Sequence, residues 1–212
     1  MAVEHLDFLV EEPSMEAALR ELLPKMLNGL SFEVYVHQCK DDLLNRLPAR
    51  LRGYAQLRRG NAWYRENVRI VVIVDRDDAD CEQLKEKLDE IARQAGLQGR
   101  AGATKKKPWS IVNRIAIEEL EAWYFGDWEA VRQAFPRVPE SVPAQARYRD
   151  SDAIQGGTWE AFERVLQRAG YHKTGLRKIE AAREIAERMN PANNSSKSFQ
   201  QLRATLSEVV NA

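Results

Sequence analysis

The chain has 212 residues, 44 % of them apolar, with 32 Lys plus Arg balanced by 32 Asp plus Glu and a formal net charge of zero. That length and apolar share suit one large domain, or one with a small appendage, and a full hydrophobic core. Bulk charge therefore carries no argument for or against nucleic acid, no stretch is long and apolar enough to span a membrane, and the two cysteines, Cys39 and Cys81, stand in no metal-binding spacing. With no signal peptide recognised, the expectation is a reducing, cytoplasmic compartment.

Leu6 to Val10 reads as a short strand that runs into Glu11-Glu12-Pro13-Ser14. Ser14 is the expected N-cap of a helix whose apolar face is Leu19, Leu22, Leu23 and Met26. Glu11 thus sits between a strand end and a helix start, and Glu16 in the first turn reads as a dipole-favoured structural acid. Ser31 to His37 alternates, with Phe32, Val34 and Val36 on one side, which predicts an edge or half-buried strand. His37, a lone histidine, reads as structural. Leu43 to Tyr54 has a helical apolar pattern. Between Leu43 and Arg65 stand six arginines (46, 50, 52, 58, 59 and 65) and no acid, a basic face suited to phosphate.

Ile70 to Val74 is an unbroken β-branched run, the pattern of a central strand buried on both faces. It ends in Asp75, Arg76, Asp77 and Asp78, with Asp80 just beyond. In open α/β sheets this is the edge at which ligands bind. Carboxylates so close repel unless a cation stands among them. In an extended backbone Asp75 and Asp77 point the same way and can share a Mg²⁺ or Mn²⁺ ion. The plainer alternative is an acidic loop in which Asp80 caps the next helix, Cys81 to Gln94. Ile91 to Ile117 holds no acid but carries Lys105, Lys106, Lys107 and Arg114. These are candidate phosphate contacts, together with Arg58 and Arg59; a solvated basic loop would look the same.

Ser110 to Ile117 predicts another strand, followed by Glu118, Glu119 and Glu121. Pattern alone does not say which pair of these glutamates acts together. The Trp123-Tyr124-Phe125 block reads as core, and Asp127 as an N-cap. Residues 136–157 read as an irregular connection, and the remainder as helices starting near Thr158 and Thr174, with a last one through Phe199 and Val209. Together, 1–135 form an α/β domain and 136–212 a helical appendage packed on it. A small basic group, His172, Lys173, Arg177 and Lys178, either reaches the acidic edge or binds a partner. No Gly-rich Lys-Ser/Thr loop is present, so the chain is not expected to use ATP itself.

The order of these features, LVEE with Glu11 after the first strand and VIVDRDD with Asp75 and Asp77 after a later central one, resembles the Toprim domain of topoisomerases, primases and related nucleases. More narrowly, VIVDRDDADC, RIAIEELEAWYFGD, GLRKIEAAREIAERMNP and SSKSF resemble the bacterial domain of unknown function 4276 (DUF4276) family. The resemblance implies a four-stranded, mainly parallel Toprim-like sheet between helices. It implies Glu11, Asp75 and Asp77 as ligands of Mg²⁺ or Mn²⁺; if a second ion binds, as in many nucleases, Glu119 or Glu121 would supply its ligands. Toprim proteins usually carry glycine after the glutamate, where this chain has Glu12. Relatives often act in defence against phage or foreign DNA beside an ABC- or AAA-type ATPase. The resulting expectation is a metal-dependent nuclease acting on DNA or RNA. A non-catalytic module that binds a metal, nucleic acid or an ATPase, and a metal-dependent phosphotransferase or phosphatase, stand as alternatives.

Overall fold

The computed structural model describes residues 3–77, 79–104 and 107–211. Four strands, β1 (His5–Val10), β2 (Ser31–Val36), β3 (Val68–Asp75) and β4 (Ile111–Ala116), form one sheet in the order β2-β1-β3-β4 with every pairing parallel. The chain leaves β1 toward β2 on one side, and leaves β3 toward β4 on the other. The sheet therefore reverses its winding between β1 and β3, and a crevice opens at the carboxyl ends of those two strands.

The helices divide by face. Leu9, Ile70, Val72 and Val74 point toward α2 (Lys40–Gly60) and α4 (Cys81–Gln94), where Leu43, Leu47, Leu51, Leu84 and Leu88 close one core layer. A short helix, α3 (Ala62–Asn67), leads from α2 into β3. Leu6, Phe8, Val10, Val71 and Ile73 point the other way, toward α1 (Pro13–Met26). The same layer holds α5 (Glu121–Gly126), α6 (Trp128–Ala134), α7 (Thr158–Arg168), α8 (Lys178–Arg188) and α9 (Lys197–Val210). The C-terminal helices thus share one continuous core with α1 and the sheet.

The β-branched run of β3 is buried along its whole length, as a strand covered on both faces requires. β2 lies at the edge, with Tyr35 and Val36 exposed. His37 is structural: its ring Nδ1 lies 2.9 Å from the Val10 carbonyl. Asp80, Asp127 and Ser196 each cap a helix, accepting from the backbone N–H of Gln83, Ala130 and Phe199.

Three expectations change. The N-cap of α1 is Glu12, not Ser14, because Pro13 takes the first helical position, where its fixed φ suits it and no N–H is needed. Ser14 is buried and gives its hydroxyl to Glu12. The helix expected from Thr174 begins at Lys178, which leaves Ile179 exposed on the first turn. Asp77 sits in a turn at φ +48°, so strand alternation ends at Asp75 and the two acids are not paired by an extended backbone.

One clamp fixes α8 on α1. Lys25, at the end of α1, donates from Nζ to the carbonyls of Ala186, Glu187 and Met189 at 2.8, 2.6 and 3.0 Å. These are among the carbonyls a helix end leaves without intrahelical partners. The two helices therefore run side by side in the same sense, and both amino ends lie at the carboxyl edge of the sheet.

A shared core predicts shared unfolding. Ile185 of α8 is fully buried against α1. Ile185→Ala should cost roughly 2–5 kcal/mol and lower the midpoint of a single transition followed by both circular dichroism and tryptophan fluorescence. Two separated transitions would show that the C-terminal helices fold as a unit of their own.

Candidate functional site

Three carboxylates from separate elements converge at the crevice. Glu11 follows β1, Asp75 ends β3 and Glu121 opens α5; they are 6 %, 3 % and 1 % exposed. The Asp75 backbone N–H donates to Glu11 Oε2 at 3.2 Å, tying the ends of the two neighbouring strands together. Asp75 Oδ1 and Glu121 Oε2 are fully buried with no hydrogen-bond partner among the described residues. Buried charges without partners are costly. Burial accordingly pushes the Glu11 carboxyl up from 4.5 to about 7, although the Asp75 N–H bond opposes the rise, with the charges of Asp77 and Glu12 adding to it. Burial also pushes Glu121 up to about 7. Asp75 is raised well above its ordinary value, first by burial and then by Glu11, Glu12 and Glu121.

Two lysines face this charge. Lys178, the first residue of α8, packs its Nζ 5.0 Å from the centre of the Trp159 ring. Burial works against its charge, but Glu121, Glu12, Glu119 and Asp75 outweigh that and hold it in the protonated form. Lys40 donates to the carbonyls of Asp75 (2.6 Å) and Arg76 (2.8 Å) and to Asp77 Oδ2 (3.2 Å). The Asp75–Asp77 turn is thereby fastened to the start of α2. The turn is also joined to the loop after β4: Asp77 N–H donates to the Glu118 carbonyl at 3.1 Å, and the Arg76 guanidinium pairs with the Glu118 carboxylate. Glu118 takes φ +60° to make this connection.

The third acidic cluster is thus resolved into three roles. Glu118 pairs with Arg76. Glu119 accepts from Thr158 Oγ1 (2.8 Å) and the Trp159 N–H (2.9 Å), capping the start of α7. Glu121 alone is buried with a free oxygen. Tyr124, one turn on, packs its ring on Phe162, yet its hydroxyl is buried with no partner among the described residues, and burial followed by the charge of Glu121 raises it well above its ordinary value. Beside the acids lies a cavity of about 680 Å³ walled by Arg76, Asp77, Glu118 and Glu119 on one side and 152–157 with Trp159 on the other.

The candidate phosphate contacts lie elsewhere. Arg114, in mid-β4, gives its Nη2 to Thr205 of α9. Arg58 donates to the carbonyls of Tyr64, Arg65 and Val68, at the amino end of β3. Arg59 and Lys107 line a cavity at that same end. Lys105, Lys106 and Asp78 lie outside the described residues. Lys178 is the member of the C-terminal basic group that reaches the acids; Arg177 pairs with Glu180 instead. Lys40 and the Tyr124 hydroxyl carry no signal in sequence that separates them from ordinary surface and core residues.

Among the described residues no three carboxylate, imidazole or thiol groups form a ready-made cation cage. The donor set still suits a hard divalent cation, because two buried carboxylate oxygens lack any partner and all the donors are oxygen. Such an ion would be held by Asp75 and Glu121, with Glu11 beside them.

Fold and site together define a parallel α/β protein with a carboxylate centre at the switch point of its sheet. The chain belongs to the family described as domain of unknown function (DUF4276), whose model matches residues 10–207. No curated protein and no solved structure matches it. No helix among the described residues is long and apolar enough to cross a membrane.

The raised acids fix a pH dependence. Between an ordinary pKa of 4.5 and about 7, the folded protein keeps protons that the unfolded chain has released. Stability therefore falls as pH rises through that window. In EDTA, the melting temperature should fall from about pH 5 to about pH 7.5. Glu121→Gln should flatten the fall and melt higher than wild type at the upper end; ionising this group alone costs roughly 3 kcal/mol. Coincident profiles for the two proteins would contradict the assignment.

Proposed function

We propose that this chain is a divalent-metal-dependent nuclease that hydrolyses phosphodiester bonds at its carboxylate edge, using Mg²⁺ or Mn²⁺. The observation that carries the reading is the convergence of Glu11, Asp75 and Glu121 at the sheet's switch point, with buried oxygens left unpaired on two of them. A fold of this kind places ligands there, and buried, unpaired carboxylates fit a cation better than they fit water. The glutamate after β1 and the Asp-x-Asp after β3 also match the Toprim order. Glu12 is no obstacle to that match, since its φ of −143° is open to any residue.

When bound, the metal would supply Lewis-acid polarisation of the phosphoryl group and an attacking water of lowered pKa. The chain's own residues do the rest. Lys178, held protonated by the acids and braced on Trp159, is placed to take a non-bridging or leaving oxygen of the phosphate and stabilise its developing charge. Glu11, bonded to the Asp75 N–H beside the two acids that would hold the metal, would accept and return the proton of the attacking water. Lys40 holds the Asp75–Asp77 turn in position through main-chain carbonyls. The cavity between Asp77 and the 152–157 segment is the approach for the nucleic-acid strand, and Glu119, by capping α7, sets one wall of it. Work in the cytoplasm, as the nuclease subunit of a defence system paired with an ABC- or AAA-type ATPase, is the setting this reading fits.

One observation favours a second reading, a non-catalytic module. Lys178 and Lys40 already supply cations at the acidic edge, as a purely structural cluster would require.

The two readings separate in one experiment. Single- and double-stranded DNA, plasmid and structured RNA are incubated with Mg²⁺ or Mn²⁺ and the wild-type, Asp75→Asn or Lys178→Met protein. The nuclease reading expects metal-dependent products, reduced roughly 100-fold or more in both variants. Lys178→Met should nevertheless bind Mn²⁺ at least as tightly as wild type, because the competing ammonium is gone. Binding of nucleic acid without turnover, with or without an added ATPase partner, would replace the nuclease by the module.

A further inference from the structure

At the opposite edge of the sheet lies a second concave site. The eight residues of β3 put it about 23 Å from Asp75, at ~3.3 Å per residue. Its volume is about 740 Å³, within the range of small-molecule sites. It lies where the end of α2, the start of β3 and the stretches 96–98 and 107–110 meet.

The lining is basic. Arg58, Arg59, Arg65, Arg69 and Lys107 contribute cations against the single carboxylate of Glu66, which pairs with Arg65 at 3.3 Å. Among the described residues, Arg59 and Lys107 form no ion pair. Arg69 is only 4 % exposed. Its Nη1 is spent on the carbonyls of Glu66 and Val68, both at 2.9 Å, while its Nε and Nη2 have no acceptor among the described residues. Those two nitrogens are not buried atoms: the backbone-bound edge of the guanidinium is covered, and its remaining donors stay open at the wall of the cavity, where an anion can meet them. Burial, then the neighbouring Arg69, holds the Arg58 guanidinium down at about 10, as expected of a cation cluster short of anions.

Local backbone supports the cradle. Gly96 ends α4 at φ +80°, and the Arg59 Nη2 lies 3.4 Å from where a side chain would begin. Any larger residue there would be strained by that φ and would come into contact with Arg59. Ala55, Leu97 and Pro108 add an apolar wall on which a ring can rest.

We infer that this basin binds the phosphates of a nucleotide-sized oligophosphate, at a site separate from the carboxylate edge. Planar guanidinium forks match phosphate oxygens in pairs, and the volume admits one nucleotide rather than a length of duplex. The phosphates can belong to a free nucleotide or to the terminus of a nucleic-acid strand. The inference does not depend on the nuclease reading, since no residue is shared between the two sites.

The test uses the full chain in EDTA, so that no metal bridges a phosphate to the acids. Binding of inorganic tripolyphosphate, ATP, and a short oligonucleotide with or without a 5′-phosphate is measured by calorimetry across a salt series. The expected result is saturable binding of at least one phosphate probe, weakened more than about tenfold in Arg59→Glu/Lys107→Glu, with a shallower salt dependence. Mn²⁺ binding and the circular dichroism spectrum should match wild type. Should that variant fail to fold, Arg59→Ala/Lys107→Ala serves in its place. Binding of ATP and tripolyphosphate assigns the site to free nucleotides; binding of the 5′-phosphorylated strand alone assigns it to strand ends. No binding of any probe, or binding undiminished in the folded variant, overturns the inference.

Discussion

Desolvation of like charges is the constraint on which this structure turns. Parallel pairing brings the carboxyl ends of β1 and β3 side by side, and the helices then bury what stands there. Glu11, Asp75 and Glu121 lose water without gaining enough partners to replace it. Everything near them answers that deficit: the Asp75 N–H turned to Glu11, the ammonium of Lys178, and Lys40 gripping the turn by its carbonyls. The amino ends of α1 and α8 also lie at that edge and carry partial positive charge toward the acids. A protein selected for stability alone would fill such a place with apolar side chains. Burying three acids there costs stability, and that cost is the ground of the proposal that they bind a cation.

The sheet was legible in the sequence because its signal is local. An unbroken β-branched run has few structures open to it other than a doubly covered strand, and its last residue marks the carboxyl edge of the sheet, so the position of Asp75 could be read directly. Glu11 was legible for the same reason. Asp77 was legible as an acid next to the strand end but not in its geometry, since the alternation argument holds only while φ stays negative, and the turn at φ +48° lies just past that limit. Glu118, Glu119 and Glu121 were inseparable by spacing. Their division depends on a left-handed Glu118, a distant Arg76 and the start of α7, none of which is periodic.

The basic residues show a different limit. Sequence gathers Arg58, Arg59 and Lys107 into acid-free stretches and invites placing them at the acids. Crossover helices run against the strands they connect, however, so the end of α2 must lie at the beginning of β3. Topology sends these cations to the far edge, while Lys178, remote in sequence, is carried to the near one by the packing of α8 on α1. Charge composition is local; the meeting of charges is a property of the whole chain path.

The Lys25 clamp gives that packing a further meaning. α1 has 14 residues, so Lys25 lies about 20 Å along the axis from Glu11. It holds the tail of α8, whose head carries Lys178. The pair works as a rod with its fixing screw at the remote end: a slip at the tail translates into a slip of the ammonium relative to the acids. Substitutions at this far end would then be expected to disturb the acidic crevice, in residues that no map of the crevice would include.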